Sequence, residues 1–577
     1  MERPAQGSTA AESDLVEPEG RADQGAAGGL RPAWKGFAAY LAYQGLAVVV
    51  WIMPIQGHIG SRLVSTVRGD ADAFMWFLRW TPWALAHGMS PLSTTYVFAP
   101  NGTDLTWTAF IPGPSLVLWP VTRVFGSIVA LNVLMIVAPA LAAWATYLVC
   151  HRVTGRFWAS LAGGAFFGFS TFMAGQLFSS HANLVLIFPV PLAAYLVVRR
   201  LEGSLGPVAF VVWLGVTLIG LLSISTELFA TMTLFGGIAF AITLAFAFGR
   251  EARHRVLEAG LLVAASYGAC LLILSPLVLT TLRHAPPGTL RGSDRVVNGL
   301  SFLVPRTGTL IGGSTFARIT DRFTAHAPED AGYVGIGVLA VLIAYAITER
   351  HHRETWALLS FVAVGSVLSL GAHLFIGGRQ LFWLPGALLY HFPLIKNATA
   401  QRFPAYTALA IGVIVAIWLA RANGGWGWAR WTLVLVAGAL LLPTTSPHQP
   451  VRLPAFFEDG TFRDVLRPDE NVLVLPKERG DEMLWQASSG FWFRMPQGYI
   501  GKVSETLRED LLGRRTPTAA ALASILTAKR VDAVLLEARE RTRFAPLLRS
   551  VGLLPVYEGG GVSVWRRSGG LAPSPGD

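Results

Sequence analysis

The sequence predicts a mainly α-helical, polytopic membrane protein with a small α/β domain near its carboxyl end. Of its 577 residues, 53% are hydrophobic and 14% are charged, an apolar share larger than one globular core needs. The apolar residues form many runs of roughly 20 residues, the length that a helix needs to cross a bilayer. From about residue 445 the long apolar runs stop, and the composition becomes that of a soluble domain.

The formal charge of +11 comes mostly from arginine. Much of this charge lies in short breaks between apolar runs, where it orients helices in a membrane, so nucleic-acid binding is not expected. Cys150 and Cys270 both lie inside apolar runs. The sequence therefore supports neither a disulfide framework nor a cysteine metal site.

Residues 1–33 are rich in Gly, Ala, Glu and Gln and have no hydrophobic period, which predicts a disordered cytoplasmic tail. The segment is too polar and too acidic for a signal peptide. We therefore expect the first apolar run, near 36–55, to remain in the membrane as an anchor.

The transmembrane domain is predicted to cover residues 34–444 with about eleven helices. The predicted spans are 36–55, 127–149, 157–176, 183–198, 206–224, 228–248, 257–282, 333–348, 355–376, 404–420 and 429–443. Arginine-rich breaks lie at 151–156, 199–204, 249–255, 349–354 and 421–430. With a cytoplasmic amino terminus, all five breaks fall on the cytoplasmic side, as the positive-inside rule expects.

The first external loop is predicted to be long, from about 56 to 126. Its run at 107–126 holds three prolines, which interrupt a helix in lipid, and a crossing there would invert the later topology. We interpret this run as a re-entrant or interfacial segment. The amphipathic stretch 74–88 has Trp and Phe side chains suited to the headgroup boundary.

Two later external loops are also large, at 283–332 and 377–403. The first of them contains six arginines, which in an apolar setting invite an anionic ligand. The soluble region 445–570 is predicted to be an extracytoplasmic α/β domain, followed by a flexible tail at 571–577. Its strands are predicted at 471–476, 533–537 and 561–567, and its helices at 516–530 and 539–552.

The sequence GDADAFMWFLRW at 69–80 places two carboxylates just after the first span. Charge at a membrane edge is costly unless it is solvated or used. In one interpretation Asp70 caps the helix that follows, and Asp72 lies favourably in its first turn. In the other, one carboxylate is a general base and the second holds a cation or the sugar.

This acidic pair and the layout around it resemble the GT-C superfamily of integral-membrane glycosyltransferases, and the composition suggests a bacterial branch. The resemblance rests on the sequence at 69–80, on IPGPSLVLWP at 111–120, on Phe125, Gly126, Asn132 and Leu134 at the second span, and on FPLIKNATAQRFPAY at 392–406. It implies a polyprenyl-phosphate-linked sugar donor and a catalytic base at Asp72 or Asp70.

The resemblance has departures. Some members carry a second acidic site in a later external loop, for which the nearest candidates are Asp321, Glu329 and Asp330. The W-W-D type motif of oligosaccharyltransferases is absent from the sequence, which disfavours transfer of a whole oligosaccharide to asparagine. Transfer of a single sugar fits better.

A sugar-phosphate donor needs cationic support where the leaving phosphate gains charge. Arg379, Lys396 and Arg402 border the last large external loop, and Arg79 lies two helical turns past Asp72. These residues are candidates for a lipid-phosphate clamp, with snorkelling to the headgroups as the alternative for Arg79. The aspartates would accept a divalent cation, Mg²⁺ or Mn²⁺, but two carboxylates are too few to identify one.

His181 and Glu227 fall at external turns between spans, on the side predicted for the aspartates. Ionisable residues at membrane depth are candidates for substrate binding. The alternatives are an interfacial histidine and a glutamate in the first turn of a helix capped by Ser225.

The sequence thus predicts a multi-pass cell-membrane enzyme, an inverting glycosyltransferase that moves a hexosyl or pentosyl unit. The acceptor is expected to be an extracytoplasmic glycan, lipid or protein of the cell envelope. A lipid or polysaccharide transporter or flippase is the alternative, although it predicts polar residues near the middle of several spans and inverted repeats. A noncatalytic cell-envelope assembly subunit also remains open.

Overall fold

The structure, a computed structural model, describes residues 30–65, 68–284, 295–306, 308–325, 329–392, 395–422, 427–444, 450–476, 481–500 and 517–567. The predicted tail at 571–577 and residues 1–29 of the predicted amino-terminal tail lie outside these ranges. The mainly helical fold class is confirmed, with a small strand-containing region near the carboxyl end.

Helices make up most of the described chain. Those before residue 300 are α1 (Leu30–Ala47), α2 (Asp70–Ala86), α3 (Pro112–Val117), α4 (Trp119–Thr154), α5 (Phe157–Gly168), α6 (Thr171–Phe178), α7 (Ala182–Val185), α8 (Pro189–Leu201), α9 (Pro207–Ile224), α10 (Thr226–Phe246), α11 (Arg250–Ile273) and α12 (Ser275–Arg283). Those after it are α13 (Ala317–Thr320), α14 (Gly335–Thr348), α15 (Arg353–Ser369), α16 (Pro404–Ala420), α17 (Gly427–Leu440), α18 (Ala455–Glu458), α19 (Phe462–Val465), α20 (Asp481–Ser488), α21 (Ala519–Ala528) and α22 (Arg541–Ser550).

Eight helical segments of the described chain are long and apolar enough to cross a membrane. They are Trp34–Ile55, Trp119–Thr154, Phe157–Phe178, Ala182–Leu201, Pro207–Ile224, Thr226–Phe246, Arg250–Ile273 and Ala400–Ala420. The other three predicted spans fall in α14, α15 and α17, which have 14, 17 and 14 residues. A 14-residue helix reaches only about 21 Å, so the count of eleven stays a prediction.

The proline-rich run at 107–126 forms no candidate span of its own. It contains α3 and the first turns of α4, and α4 bends at Gly126, whose φ is +86°. Glycine tolerates this backbone conformation, which other residues adopt only with strain. The bend redirects the chain before the apolar part of α4 begins.

The core of the bundle is built on close contact between small residues of α4, α5 and α16. A β-carbon added at Gly163 of α5 would lie 2.4 Å from the Gly412 carbonyl oxygen of α16. One added at Gly168 would lie 2.5 Å from the Pro139 carbonyl oxygen of α4. Because glycine leaves these positions open, the backbones approach as small-residue stripes allow in membrane helices.

The prediction that the Trp and Phe side chains of 74–88 lie at the headgroup boundary is wrong. Trp76, Phe77 and Trp80 of α2 are at most 1% exposed. The aromatic face of α2 is covered by the carboxyl-terminal region, where Phe491 contacts Trp76 and Trp80 edge-on. The stretch does form a helix, but residues on nearly every side of it are buried against protein.

The carboxyl-terminal region contains a four-stranded sheet of β5 (Val472–Leu475), β6 (Ala533–Glu537), β7 (Leu553–Gly559) and β8 (Val562–Arg567). The order is β5-β6-β8-β7, with β5 and β6 parallel and the other pairs antiparallel. The predicted strands correspond to β5, β6 and β8. The sequence analysis missed β7, whose Pro555 is tolerated because β7 is an edge strand.

Two short hairpins complete the described strands. One pairs β1 (Ser93–Thr94) with β2 (Thr103–Asp104), and the other pairs β3 (His373–Ile376) with β4 (Arg379–Trp383). The span predicted at 355–376 is therefore too long, because its helix ends at Ser369 and its last residues form β3.

We predict that Gly163→Ala destabilises the bundle by about 1–3 kcal/mol, the usual effect of overpacking a core. Gly237→Ala in α10 is the matched control, because a β-carbon there meets nothing within 4 Å. Thermal unfolding in detergent should show a lower Tm for Gly163→Ala alone. Equal Tm values for the two variants would contradict the packing described here.

Candidate active site

Charged side chains from five separate segments meet at one end of the helical bundle. They are Asp70 at the start of α2, His181 before α7, Glu227 in the first turn of α10, Glu329 before α14 and Arg402 before α16. We call these five residues the acidic cluster. The sequence analysis placed His181 and Glu227 on the side of the aspartates, and the structure brings both into this cluster.

Asp70 is the open member of the cluster, with 38% of its side chain exposed. Its Oδ2 lies 2.9 Å from Nε2 of His181, and Nδ1 of His181 lies 2.6 Å from Oε1 of Gln176. Gln176 is completely buried, so it fixes the plane of the imidazole. His181 in turn fixes one carboxylate oxygen of Asp70, and solvent reaches the rest of that side chain.

Arg402 joins the two glutamates of the cluster. Its Nη1 donates to Glu227 Oε2 at 2.6 Å, and its Nη2 donates to Glu329 Oε2 at 2.8 Å. Oε1 of Glu329 lies 3.8 Å from Nε2 of His181, which links this pair to Asp70. With three carboxylates and one guanidinium, the cluster has a formal charge of −2 before His181 is counted. Such a site favours a transition state that gains positive charge.

Asp72 belongs to a different network. Its side chain is fully buried, and its two oxygens accept from Nη2 and Nε of Arg68 at 2.9 and 3.1 Å. Arg68 also pairs with Asp481 of α20. Asp72 Oδ2 accepts from the Gly69 backbone N–H at 3.4 Å, as a residue in the first turn of a helix does. Burial raises the pKa of Asp72 to about 6, and the charge of Arg68 opposes that rise.

The other residues predicted to bind phosphate are not joined to the acidic cluster by a hydrogen bond or ion pair in the described chain. Arg79 donates from Nη1 to the Ala487 carbonyl at 2.9 Å and so ties α2 to α20. Arg379 is exposed on β4. Lys396 is half-buried in a short helical turn ahead of Arg402.

Sequence reasoning named Glu329 only as one of three acidic candidates, and it missed Arg68, Gln176 and Asp481. Arg68 lies four residues before Asp72, the spacing at which helical side chains pair, so this signal was available. Glu329, Gln176 and Asp481 reach their partners through contacts between distant segments. No local pattern in the sequence predicts those contacts.

Asp72 and Glu329 already bind arginine through their carboxylate oxygens, which leaves them less free to hold a divalent cation. Both oxygens of Asp72 face Arg68, and Oε2 of Glu329 accepts from Arg402. In the part of the chain that the structure describes, no group of three His, Cys, Asp or Glu side chains could hold a metal ion. Hard cations such as Mg²⁺ need several oxygen ligands at once.

A family model matches residues 42–443, which include all five residues of the acidic cluster. The chain belongs to this family, Domain of unknown function (DUF6311). No curated protein matches the DUF6311 chain.

Two solved structures share the fold of this DUF6311 protein. The archaeal oligosaccharyltransferase AglB from Archaeoglobus fulgidus, solved with an inhibitory peptide and a dolichol-phosphate, aligns with a TM-score of 0.51 at 11% identity over 94% of this chain and 75% of that one. The arabinofuranosyltransferase AftD from Mycobacteria aligns with a TM-score of 0.55 at 12% identity over 94% of this chain and 40% of that one. The DUF6311 chain therefore has a GT-C-like fold.

We predict that the stability of the protein relative to Asp72→Asn falls as pH rises from 4 to 7. The pKa of Asp72 is about 6 in the folded protein and 3.8 ordinarily, so folding favours the protonated form. The contribution of protonated Asp72 to the free energy of unfolding is therefore complete below pH 4 and is lost as pH rises through 6. The loss is on the order of 3 kcal/mol.

The measurement is the difference in Tm between the two proteins at each pH, with exposed Asp321→Asn as a control for loss of a charge. A difference that stays constant with pH, or that grows in favour of the unmodified protein, would contradict the burial of Asp72.

Proposed function

We propose that the protein is a membrane glycosyltransferase that moves a single hexosyl or pentosyl unit from a polyprenyl-phosphate donor to an acceptor hydroxyl. The observation that carries this proposal is the half-open carboxylate of Asp70, held by His181 at the edge of an acidic cluster. The GT-C-like fold and the apolar helices around the cluster support a lipid-linked donor.

Asp70, rather than Asp72, is the proposed general base. Its exposed oxygen accepts the proton of the acceptor hydroxyl, and the oxygen of that hydroxyl attacks the anomeric carbon of the donor. The bond from the anomeric carbon to the phosphate oxygen breaks, polyprenyl phosphate leaves, and the configuration at the anomeric carbon inverts. Asp72 lacks this freedom because Arg68 occupies both of its oxygens.

The negative charge of the acidic cluster suits the sugar and not the phosphate. Glycosyl transfer passes through an oxocarbenium-like transition state, which nearby carboxylates stabilise. Arg402 is already matched by Glu227 and Glu329, so we assign it to holding the cluster together. For the leaving phosphate the proposal uses two cations of the last large predicted loop, the exposed Arg379 and the half-buried Lys396.

The proposal places the reaction on the extracytoplasmic side of the cell membrane, with the acceptor supplied by the cell envelope. It uses a cytoplasmic amino terminus and an extracytoplasmic carboxyl-terminal domain, as the arginine distribution predicts. That domain lies against α2 through the hydrogen bond from Trp76 Nε1 to Gln486 Oε1, 2.7 Å long. It is therefore close enough to α2 to take part in acceptor binding.

We predict that Asp70→Asn lowers kcat at least 100-fold, since general-base catalysis commonly contributes a factor of roughly 10² to 10⁴. The assay supplies purified protein in nanodiscs with polyprenyl-phosphate [14C]mannose, [14C]glucose or [14C]arabinose and octyl glycosides as acceptors. Asp321→Asn, an exposed acid outside the acidic cluster, should retain activity and is the matched control.

Retention of full activity by Asp70→Asn would contradict its role as the base. Failure of the unmodified protein to transfer any sugar of the panel, together with uptake of a lipid or glycan into vesicles, would favour the transporter alternative.

We predict that EDTA changes the rate of sugar transfer by no more than about twofold. The carboxylates of the acidic cluster are held by Arg402 and His181 rather than left open for a cation. The measurement is the initial rate in the same nanodisc assay before and after chelation. Loss of activity on chelation with recovery in Mg²⁺ or Mn²⁺ would show that a cation is required.

A further inference from the structure

The carboxyl-terminal region brings an aromatic side chain to the start of α2, beside the proposed base. A β-carbon added at Gly69 would lie 3.1 Å from both Cζ and the hydroxyl oxygen of Tyr499. Gly69 directly precedes Asp70, and its φ of +69° also favours glycine. The absence of a side chain at Gly69 thus lets the Tyr499 ring approach the backbone next to Asp70.

The position of Tyr499 is fixed by backbone hydrogen bonds to the first external loop. Met495 N donates to the Tyr96 carbonyl at 2.8 Å, Ala99 N donates to the Met495 carbonyl at 2.9 Å, and Phe98 N donates to the Gln497 carbonyl at 3.3 Å. These bonds hold the chain up to two residues before Tyr499. The backbone that leads to Tyr499 is therefore anchored to the segment 96–99.

Although the backbone before it is anchored, Tyr499 remains 48% exposed, and its hydroxyl has no hydrogen-bond partner among the residues that the structure describes. Burial raises the pKa of Tyr499, and the charges of Asp70, Asp72 and Glu482 raise it further, which marks its closeness to the acids at the start of α2. The exposed part of this aromatic ring, beside the proposed base, is open to contact with a bound ligand.

We propose that Tyr499 is a specificity-determining residue whose ring supports the sugar that reacts at Asp70. This inference rests on the proposed function. The C–H face of a pyranose or furanose ring is apolar and packs on an aromatic ring, while the sugar hydroxyls and the Tyr hydroxyl stay hydrogen-bonded at the edge. The site would thus be shared, with the base on α2 and the sugar platform on the carboxyl-terminal region.

The binding test replaces Tyr499 by the photo-cross-linker p-benzoylphenylalanine in the full-length Asp70→Asn protein in nanodiscs, so that no catalysis is needed. Separate samples receive the labelled polyprenyl-phosphate sugars or radiolabelled octyl mannoside, glucoside and arabinofuranoside. We expect label on the protein after irradiation. Label from the lipid-linked sugars assigns the platform to the donor, and label from the octyl glycosides assigns it to the acceptor.

The cross-linker at Leu554, which is 52% exposed on the edge strand β7 of the same region, is the control and should stay unlabelled. No label at position 499, or equal labelling at 499 and 554, would overturn the proposal. If position 499 is labelled but the unmodified protein transfers no sugar of the panel, sugar binding at Tyr499 is supported and the proposed transferase activity is rejected.

Kinetics with otherwise unmodified protein give a second test. We expect Tyr499→Ala to raise KM about tenfold for the sugar whose ring Tyr499 supports, and to change kcat by no more than about threefold. Tyr499→Phe should retain a near-normal KM because the ring face remains. Leu554→Ala should change neither constant. A fall in kcat at unchanged KM, or an equal loss in Tyr499→Phe and Tyr499→Ala, would contradict an aromatic platform.

Discussion

The arrangement of the site depends on the guanidinium of Arg402, which holds two carboxylates together in a nearly water-free part of the protein. Arg402 and Glu329 are 7% and 6% exposed, so neither charge is solvated well enough to stand alone. Removing one partner of such a buried group leaves an uncompensated charge, which commonly costs 3 to 5 kcal/mol. Because Glu227, Glu329 and Arg402 come from three segments distant in sequence, this interaction ties the start of α10 to the segments that precede α14 and α16.

The two acids of the D-x-D pair have different environments although they lie two residues apart in one helical turn. Side chains two residues apart on a helix point in different directions, so one carboxylate faces His181 and the other faces Arg68. The first stays half-open at the edge of the acidic cluster. The second is buried and pairs with Arg68, which also pairs with Asp481 of the carboxyl-terminal region. The environment of Asp72 matches the helix-stabilising interpretation of the pair, and the proposed role in catalysis falls to Asp70.

Much of the helical architecture could be predicted from the sequence, because a membrane-spanning helix needs an apolar run of a set length and arginine-rich breaks mark where such runs end. The predicted spans at 206–224 and 404–420 match α9 and α16 within one residue at each end. Errors arose where local pattern was ambiguous. The aromatic face of α2 reads equally as facing lipid or protein, and its burial under Phe491 depends on a segment about 400 positions later.

The candidate site was predictable only in part, for the same reason. Asp70, His181, Glu227 and Arg402 could be selected because each is an ionisable residue at the end of an apolar run. Their pairing, and the positions of Glu329 and Tyr499 close to them, arise from tertiary contacts that no local spacing encodes. The structure therefore changes the interpretation of Arg402 from a phosphate ligand to the centre of the acidic cluster.

An experimental structure of the Asp70→Asn protein with a bound polyprenyl-phosphate sugar would test the central claim most directly. The account predicts the anomeric carbon at the open side of residue 70, with the Glu227–Arg402–Glu329 bridge intact and the phosphate directed away from it. A sugar bound at the opposite end of the bundle, or an Arg402 guanidinium released from both glutamates to bind the phosphate, would contradict it.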